Sequence, residues 1–176
     1  MLKKIAIAFA VLLAGILLFA TTRPDTFRVE RKIVISAAPE RVQAQISNFR
    51  HWRAWSPYEK KDPAMKRSYR GPESGVGAQY SWEGDGNVGS GRMEVISATP
   101  QEVRIKLDFL VPFEAHNTAI FSFTPQSNGT EVSWAMEGPV PYFAKIIHLF
   151  FNMDKMVGPD FEAGLADLKI VSETQP

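Results

Sequence analysis

The chain has 176 residues, a formal net charge of +1 and no cysteine. That length fits one globular domain with an appendage, and the lack of cysteine removes disulfides, thiolate nucleophiles and Cys-ligated zinc. Eighteen of the twenty basic residues and all nineteen acidic ones lie beyond position 22 with both signs interspersed, which gives no electrostatic case for a nucleic-acid partner.

The appendage comes first. Ile5 to Thr22 form an uncharged run, apolar from Ile5 to Ala20 apart from Gly15. As a helix it would span roughly 27 Å, close to the ~30 Å hydrocarbon core of a bilayer. Lys3 and Lys4 precede it, so the N-terminus is expected to stay cytoplasmic while the rest crosses. A cleaved signal peptide wants small residues at −3 and −1, and the cuts after Ala20 or Thr22 would place Leu18 at −3 or a Thr at −1. A lipoprotein needs a cysteine, and a buried core helix would not be apolar on every face. The expectation is therefore a single-pass anchor over residues 1–22, with a cleaved signal as the alternative.

Arg23-Pro24-Asp25 ends that helix and opens the folded part, expected over residues 23–171. Thr26 to Ile35 alternate apolar and charged residues as a half-buried strand. Pro39 and Glu40 suit the first turn of a short helix ending near Asn48, with Val42, Ile46 and Phe49 on one face. Trp52 and Trp55 fall in a turn-like stretch closed by Pro57. Six further strands are predicted: Lys66 to Arg70, Ala78 to Glu83, Gly91 to Ser97, Val103 to Val111, Ala115 to Thr124 and Glu131 to Glu137. Reversals such as Gly71-Pro72, Thr99-Pro100 and Asn128-Gly129 separate them.

From Pro141 onward the apolar period lengthens to three or four, with Phe161, Leu165 and Leu168 on one stripe. Gly158-Pro159 predicts a break or kink near 158, the firmest helix running from about Pro159 to Val171. Residues 172–176 are expected to fray as a flexible tail. A twisted sheet with one apolar face needs a cover, and this last segment is the only long one. The fold class is α+β: a curved seven-stranded antiparallel sheet gripping a long C-terminal helix, with a transmembrane helix ahead of it.

Several stretches carry a family likeness: Ala38-Pro39-Glu40-Arg41-Val42, Trp52-Arg53-Ala54-Trp55-Ser56-Pro57, the run Gly71 to Gly77, Tyr80-Ser81-Trp82, Gly129-Thr130-Glu131-Val132 and the run Phe161 to Lys169. Together with the element order they resemble the START-like, birch-pollen-allergen-like superfamily (SRPBCC), and within it the bacterial polyketide cyclase/dehydrase-type proteins. The resemblance spans about Phe27 to Val171. It implies a helix-grip fold with an internal cavity, and it carries no fixed catalytic set to transfer.

The candidate chemistry is sparse. Gly84 to Gly89 matches G-x-G-x-x-G, but a strand follows where a dinucleotide site needs a helix, so a hairpin turn is the better reading. Asn128-Gly129-Thr130 is formally a glycosylation acceptor, and a hairpin turn accounts for it equally. His51, His116 and His148 share no metal-ligand spacing, so neither a metal nor a cofactor is expected. His116, on a strand expected to border the cavity, is the one weak catalytic candidate, to be weighed against an ordinary surface histidine.

Ten apolar residues are expected to line a ligand pocket: Trp55, Tyr80, Trp82, Met93 and Phe109 from the first half, and Phe121, Trp134, Met136, Phe161 and Leu165 from the second. Ordinary core packing is the alternative for at least half of them. The apolar stretch Phe143 to Phe151 is read as a sheet-edge cover, a lid, or a segment dipping into the membrane.

Three functions remain open. The first is a binding module tethered to a bacterial inner membrane, its domain periplasmic or extracytoplasmic, holding a small hydrophobic or lipid-like molecule. The second is a cyclase-type enzyme using His116, Glu114 or Tyr80. The third is a structural envelope protein whose cavity is filled by its own side chains, which a cavity below ~300 Å³ would favour.

Overall fold

The computed structural model describes residues 1–174. In chain order it contains α1 (Leu2–Thr21), β1 (Thr26–Ile35), α2 (Pro39–Ser47), α3 (Trp52–Trp55), α4 (Pro57–Lys61), β2 (Lys66–Arg70), β3 (Gln79–Glu83), β4 (Ser90–Thr99), β5 (Glu102–Val111), β6 (Ala115–Gln126), β7 (Gly129–Pro139), α5 (Tyr142–His148) and α6 (Met153–Thr174). The seven strands form one antiparallel sheet in the order β1-β7-β6-β5-β4-β3-β2. Register shifts at Ser90/Gly91 and Val95/Ser97 mark irregularities in β4, which increase local twist and help the sheet curl.

Alternation decides which side chains enter the concave face. On β5 the odd positions Val103, Ile105 and Leu107 are buried, and on β6 Ala119, Phe121 and Phe123 are. Arg31 breaks this pattern on β1, lying opposite Trp134 of β7 on the inner side. Its guanidinium reaches the helix above instead of apolar neighbours, bonding Asp154 at 2.7 Å and Glu162 at 2.6 Å.

That contact explains Gly158. A β-carbon there would collide with the Arg31 guanidinium, so glycine lets the arginine cross the helix between Asp154 and Glu162. The expected break at Gly158-Pro159 does not occur: α6 is continuous from Met153 to Thr174 with Pro159 inside it. The hydrogen bond that Pro159 forfeits belongs to the Lys155 carbonyl, and both residues are exposed, so water can take the place of the lost donor. The tail expected from 172 is helical as far as Thr174, and Ser172 is buried. Residues 175–176 lie outside the described residues.

The stretch after α2 is two short helices rather than a turn. Helices this short are not stable alone, and here side chains hold them. The indole N–H of Trp52 donates to the Ile46 carbonyl at 2.9 Å, and that of Trp55 to Gln45 at 3.2 Å. These carbonyls belong to the last turn of α2, where no intrahelical donor exists, so the two indoles cap it. Lys60 and Lys61 then tie α4 to α6 through Asp167 and Asp160, each at 2.6 Å.

α1 is long and apolar enough to cross a membrane. Only Ala20 within it is buried. It lies against α5, where the Tyr142 hydroxyl donates to the Leu17 carbonyl at 2.8 Å and Lys145 pairs with Asp25 at 2.5 Å.

Candidate functional site

Between the concave face and α6 lies a cavity of about 250 Å³. Its floor and walls include Met93, Leu107, Ala119, Trp134 and Met136 from the sheet, with Phe161 from α6 above. Trp52, Ser56, Tyr58 and Glu59 close one flank from α3 and α4. It reaches the surface between the β3–β4 loop and the β5–β6 turn, where Gly86, Asn87, Val111 and Pro112 are exposed.

Of the ten residues expected to line a pocket, Tyr80, Trp82, Met93, Phe109, Trp134, Met136 and Phe161 do so. Trp55, Phe121 and Leu165 do not, and all three are buried in a closed layer beside it. That layer is built from rings in contact. Trp55 lies 4.6 Å from Trp52 and 5.6 Å from Trp134, and Phe121 stacks 5.1 Å from Trp134. Trp134 in turn stacks on Phe161 at 4.1 Å with 10° between planes. Gly164 permits this by presenting no side chain: a β-carbon there would stand 2.6 Å from the Trp134 ring and 2.9 Å from Pro57.

Of the polar groups of the cavity, Tyr80 is among the expected residues and Glu59 is not. Glu59 is 7% exposed yet carries a carboxylate. Two partners satisfy it: the Tyr80 hydroxyl donates to Oε1 at 2.9 Å, and Arg67 bonds Oε2 at 2.7 Å. Burial, followed by the charge of Glu59, pushes the Tyr80 phenol well above its usual range, so the hydroxyl keeps its proton. Burial raises Tyr58 likewise, with Asp160 adding to it. The indole N–H of Trp134 is buried and meets no acceptor among the described residues. An orphaned donor of this kind costs about 1–3 kcal/mol.

His116 is not part of this site. Its side chain is 58% exposed on the convex face, where it bonds Asp108 at 2.8 Å and approaches Glu114 at 3.4 Å. Burial of Asp108 works against its charge, but hydrogen bonds from His116, Arg92 and Lys106 outweigh burial and hold its carboxyl at about 2. The role suggested for His116 at the cavity is therefore corrected: it belongs to a surface ion-pair cluster. Strand parity carried the signal, since Ala119 and Phe121 face inward and an even-numbered neighbour must face out. Among the described residues, no group of three or more His, Asp or Glu could hold a metal ion.

The sequence profile described as "Polyketide cyclase / dehydrase and lipid transport" matches residues 26–173. The chain belongs to this polyketide cyclase/dehydrase and lipid transport family. No curated protein sequence matches it. Among solved structures, protein CV1439 from Chromobacterium violaceum is similar at 17% identity and TM-score 0.60, over 87% of this chain and all (100%) of that one. The Aha1 dimer from Colwellia psychrerythraea aligns at 16% identity and TM-score 0.58, covering 84% of this chain and 97% of that one. The two-domain aromatase/cyclase BexL of the BE-7585A biosynthetic pathway aligns at 15% identity and TM-score 0.63, over 89% of this chain and 53% of BexL. Likeness at such low identity establishes the shared fold alone. The chemistry of the cavity therefore has to be read from this chain's own residues.

Proposed function

We propose that this family member is a membrane-tethered binding domain whose cavity holds a small, mainly apolar ring compound. The observation that carries the proposal is the composition of the cavity wall: aromatic and aliphatic on nearly all sides, with one buried carboxylate–tyrosine pair. A cavity of about 150 Å³ accommodates benzene, so about 250 Å³ suits two fused rings better than a full lipid tail. A hydroxyl on such a ring would donate to Glu59. The apolar helix α1 serves as the tether in this reading, with a cleaved signal sequence as the competing role, and the domain sits on the outer side of a bacterial inner membrane.

A second reading has an observation of its own. The volume lies below the ~300 Å³ at which ligand sites usually begin, and rings of the chain itself fill the adjoining layer, which favours a structural domain without a guest. The cyclase reading gains less: Tyr80 and Glu59 could pass a proton, but Arg67 holds Glu59 in an ion pair.

Fluorescence titration of the detergent-solubilised full chain with 2-naphthol and with naphthalene separates them. Saturable one-to-one quenching, tighter for the naphthol, supports the binding domain. Linear, unsaturable quenching by both compounds leaves the structural reading standing.

A further inference from the structure

The strand registers place four features at one end of the sheet. β1 begins there, Thr26 opposite Pro139 where β7 ends, and the β5–β6 turn follows because Phe109 faces Ala115. The β3–β4 loop completes the set, since Glu83 faces Ser90 and Ser90 faces Val111. The cavity mouth lies between those last two reversals, so it opens at the end from which α1 departs.

That end is also the apolar one. Val111 and Phe113 on the β5–β6 turn are 54% and 78% exposed, and Phe143, Phe150 and Phe151 in and after α5 are 71%, 70% and 57% exposed. Of the reversals at the far end, Thr99-Pro100-Gln101 and Gln126-Ser127-Asn128 carry no large apolar side chain, and the β2–β3 loop exposes one, Val76, and no aromatic ring. Exposed aromatic side chains gathered at one end of the domain point to an interaction surface. Its occupant follows from α1: Tyr142 is bonded to Leu17 and Lys145 to Asp25, so α5 is fastened beside the last turn of the apolar helix. A side chain held there cannot stand far from the layer that α1 enters. Exposed charges at the same end are of both signs, Asp85 and Glu114 against Arg23 and Lys66, so net attraction to anionic headgroups is not what seats it.

We infer that this end rests on the bilayer with its aromatic rim immersed in the interface, so that the cavity mouth opens toward lipid and the guest enters from the membrane rather than from water. The inference rests on the proposed anchor role of α1 and on the binding role of the cavity. It defines the guest further, as a compound that partitions into bilayers.

The absence of cysteine makes the test direct. Single variants Leu12→Cys, Phe113→Cys, Phe151→Cys and Ser127→Cys of the full chain are labelled with an environment-sensitive nitrobenzoxadiazole dye and placed in phosphatidylcholine vesicles with and without brominated chains. Quenching is expected at 12, 113 and 151 and not at 127. Quenching at 12 but not at 113 and 151 overturns the inference and leaves the anchor intact. No quenching at 12 removes the anchor reading and the inference with it, and quenching at 127 as well overturns the stated orientation. In the same vesicles, Phe113→Asp with Phe151→Asp should slow uptake of membrane-dissolved 2-naphthol several-fold at unchanged equilibrium affinity. Unchanged uptake overturns the route.

Discussion

Replacing Ala119 with Leu adds three carbon atoms to the cavity floor. Ala119 is 3% exposed at the middle of β6, opposite Ile105 on β5 and Met136 on β7. If the space above it is a true void of about 250 Å³, the new atoms leave water without displacing any side chain. Each buried methylene contributes about 0.8 kcal/mol, which gives about 2.4 kcal/mol for three. Fixing the leucine rotamer costs about 0.5–1 kcal/mol, so the net gain is about 1–2 kcal/mol. For a chain of this size that raises Tm by about 2–8 °C. The comparison has to be made on protein stripped of bound compounds, because a guest that binds only the folded state would stabilise the parent and hide the gain. Near-UV circular dichroism of the solubilised full chain follows the transition, and naphthol titration of the same samples should show affinity falling as stability rises. A loss of about 1–3 kcal/mol would be the mark of overpacking and would refute the cavity.

Other substitutions probe the surrounding chemistry. Trp134→Phe should be nearly neutral in urea unfolding, because the lost ring area is offset by removal of an unsatisfied donor, whereas Trp55→Phe should cost about 2–4 kcal/mol through loss of packing and of its bond to Gln45; equal losses at the two sites would contradict the assignment. Gly164→Ala should destabilise by about 1–2 kcal/mol, although alanine is the better helix former, because the methyl meets the Trp134 ring and Pro57; a stabilised variant would contradict that packing. Asp108 ionises at about 2 in the folded chain against about 3.9 unfolded, so its contribution is complete above pH 4 and is lost as pH falls through 2. Asp108→Asn should therefore cost about 1–2 kcal/mol at pH 6 and little at pH 2, allowing for the exposure of His116 and Arg92; a pH-independent difference would contradict the linkage. His116→Ala should leave naphthol affinity unchanged, and a tenfold loss would return this residue to the site.

Much of the fold was legible because strand alternation is a local signal. β1 and β2 match their expected limits, and the other strands differ by a few residues at their ends. What escaped depended on contacts between distant segments. α3 and α4 are too short to show a period, and they exist because indoles reach back to α2. The continuity of α6 through Pro159 follows from an exposed carbonyl and from an arginine on another element, neither of which leaves a trace in the local pattern.

The site divides the same way. Large apolar residues marked the inner face, but a sequence cannot say which of them border a void and which pack against each other, as Trp55 and Phe121 do. Glu59 was hidden among the charges of the Glu59-Lys60-Lys61-Asp62 run, and only the fold brings Tyr80 and Arg67 to it. A buried tyrosine hydroxyl does require a partner, and that rule alone could have prompted a search for one.

Native mass spectrometry of the full chain released from membrane nanodiscs puts the central claim to the most direct trial. The account predicts one small adduct per wild-type chain, removed by mild organic extraction and missing from the Ala119→Leu variant. A wild-type chain that emerges at its bare mass and stays bare after incubation with bicyclic phenols and ketones would contradict it.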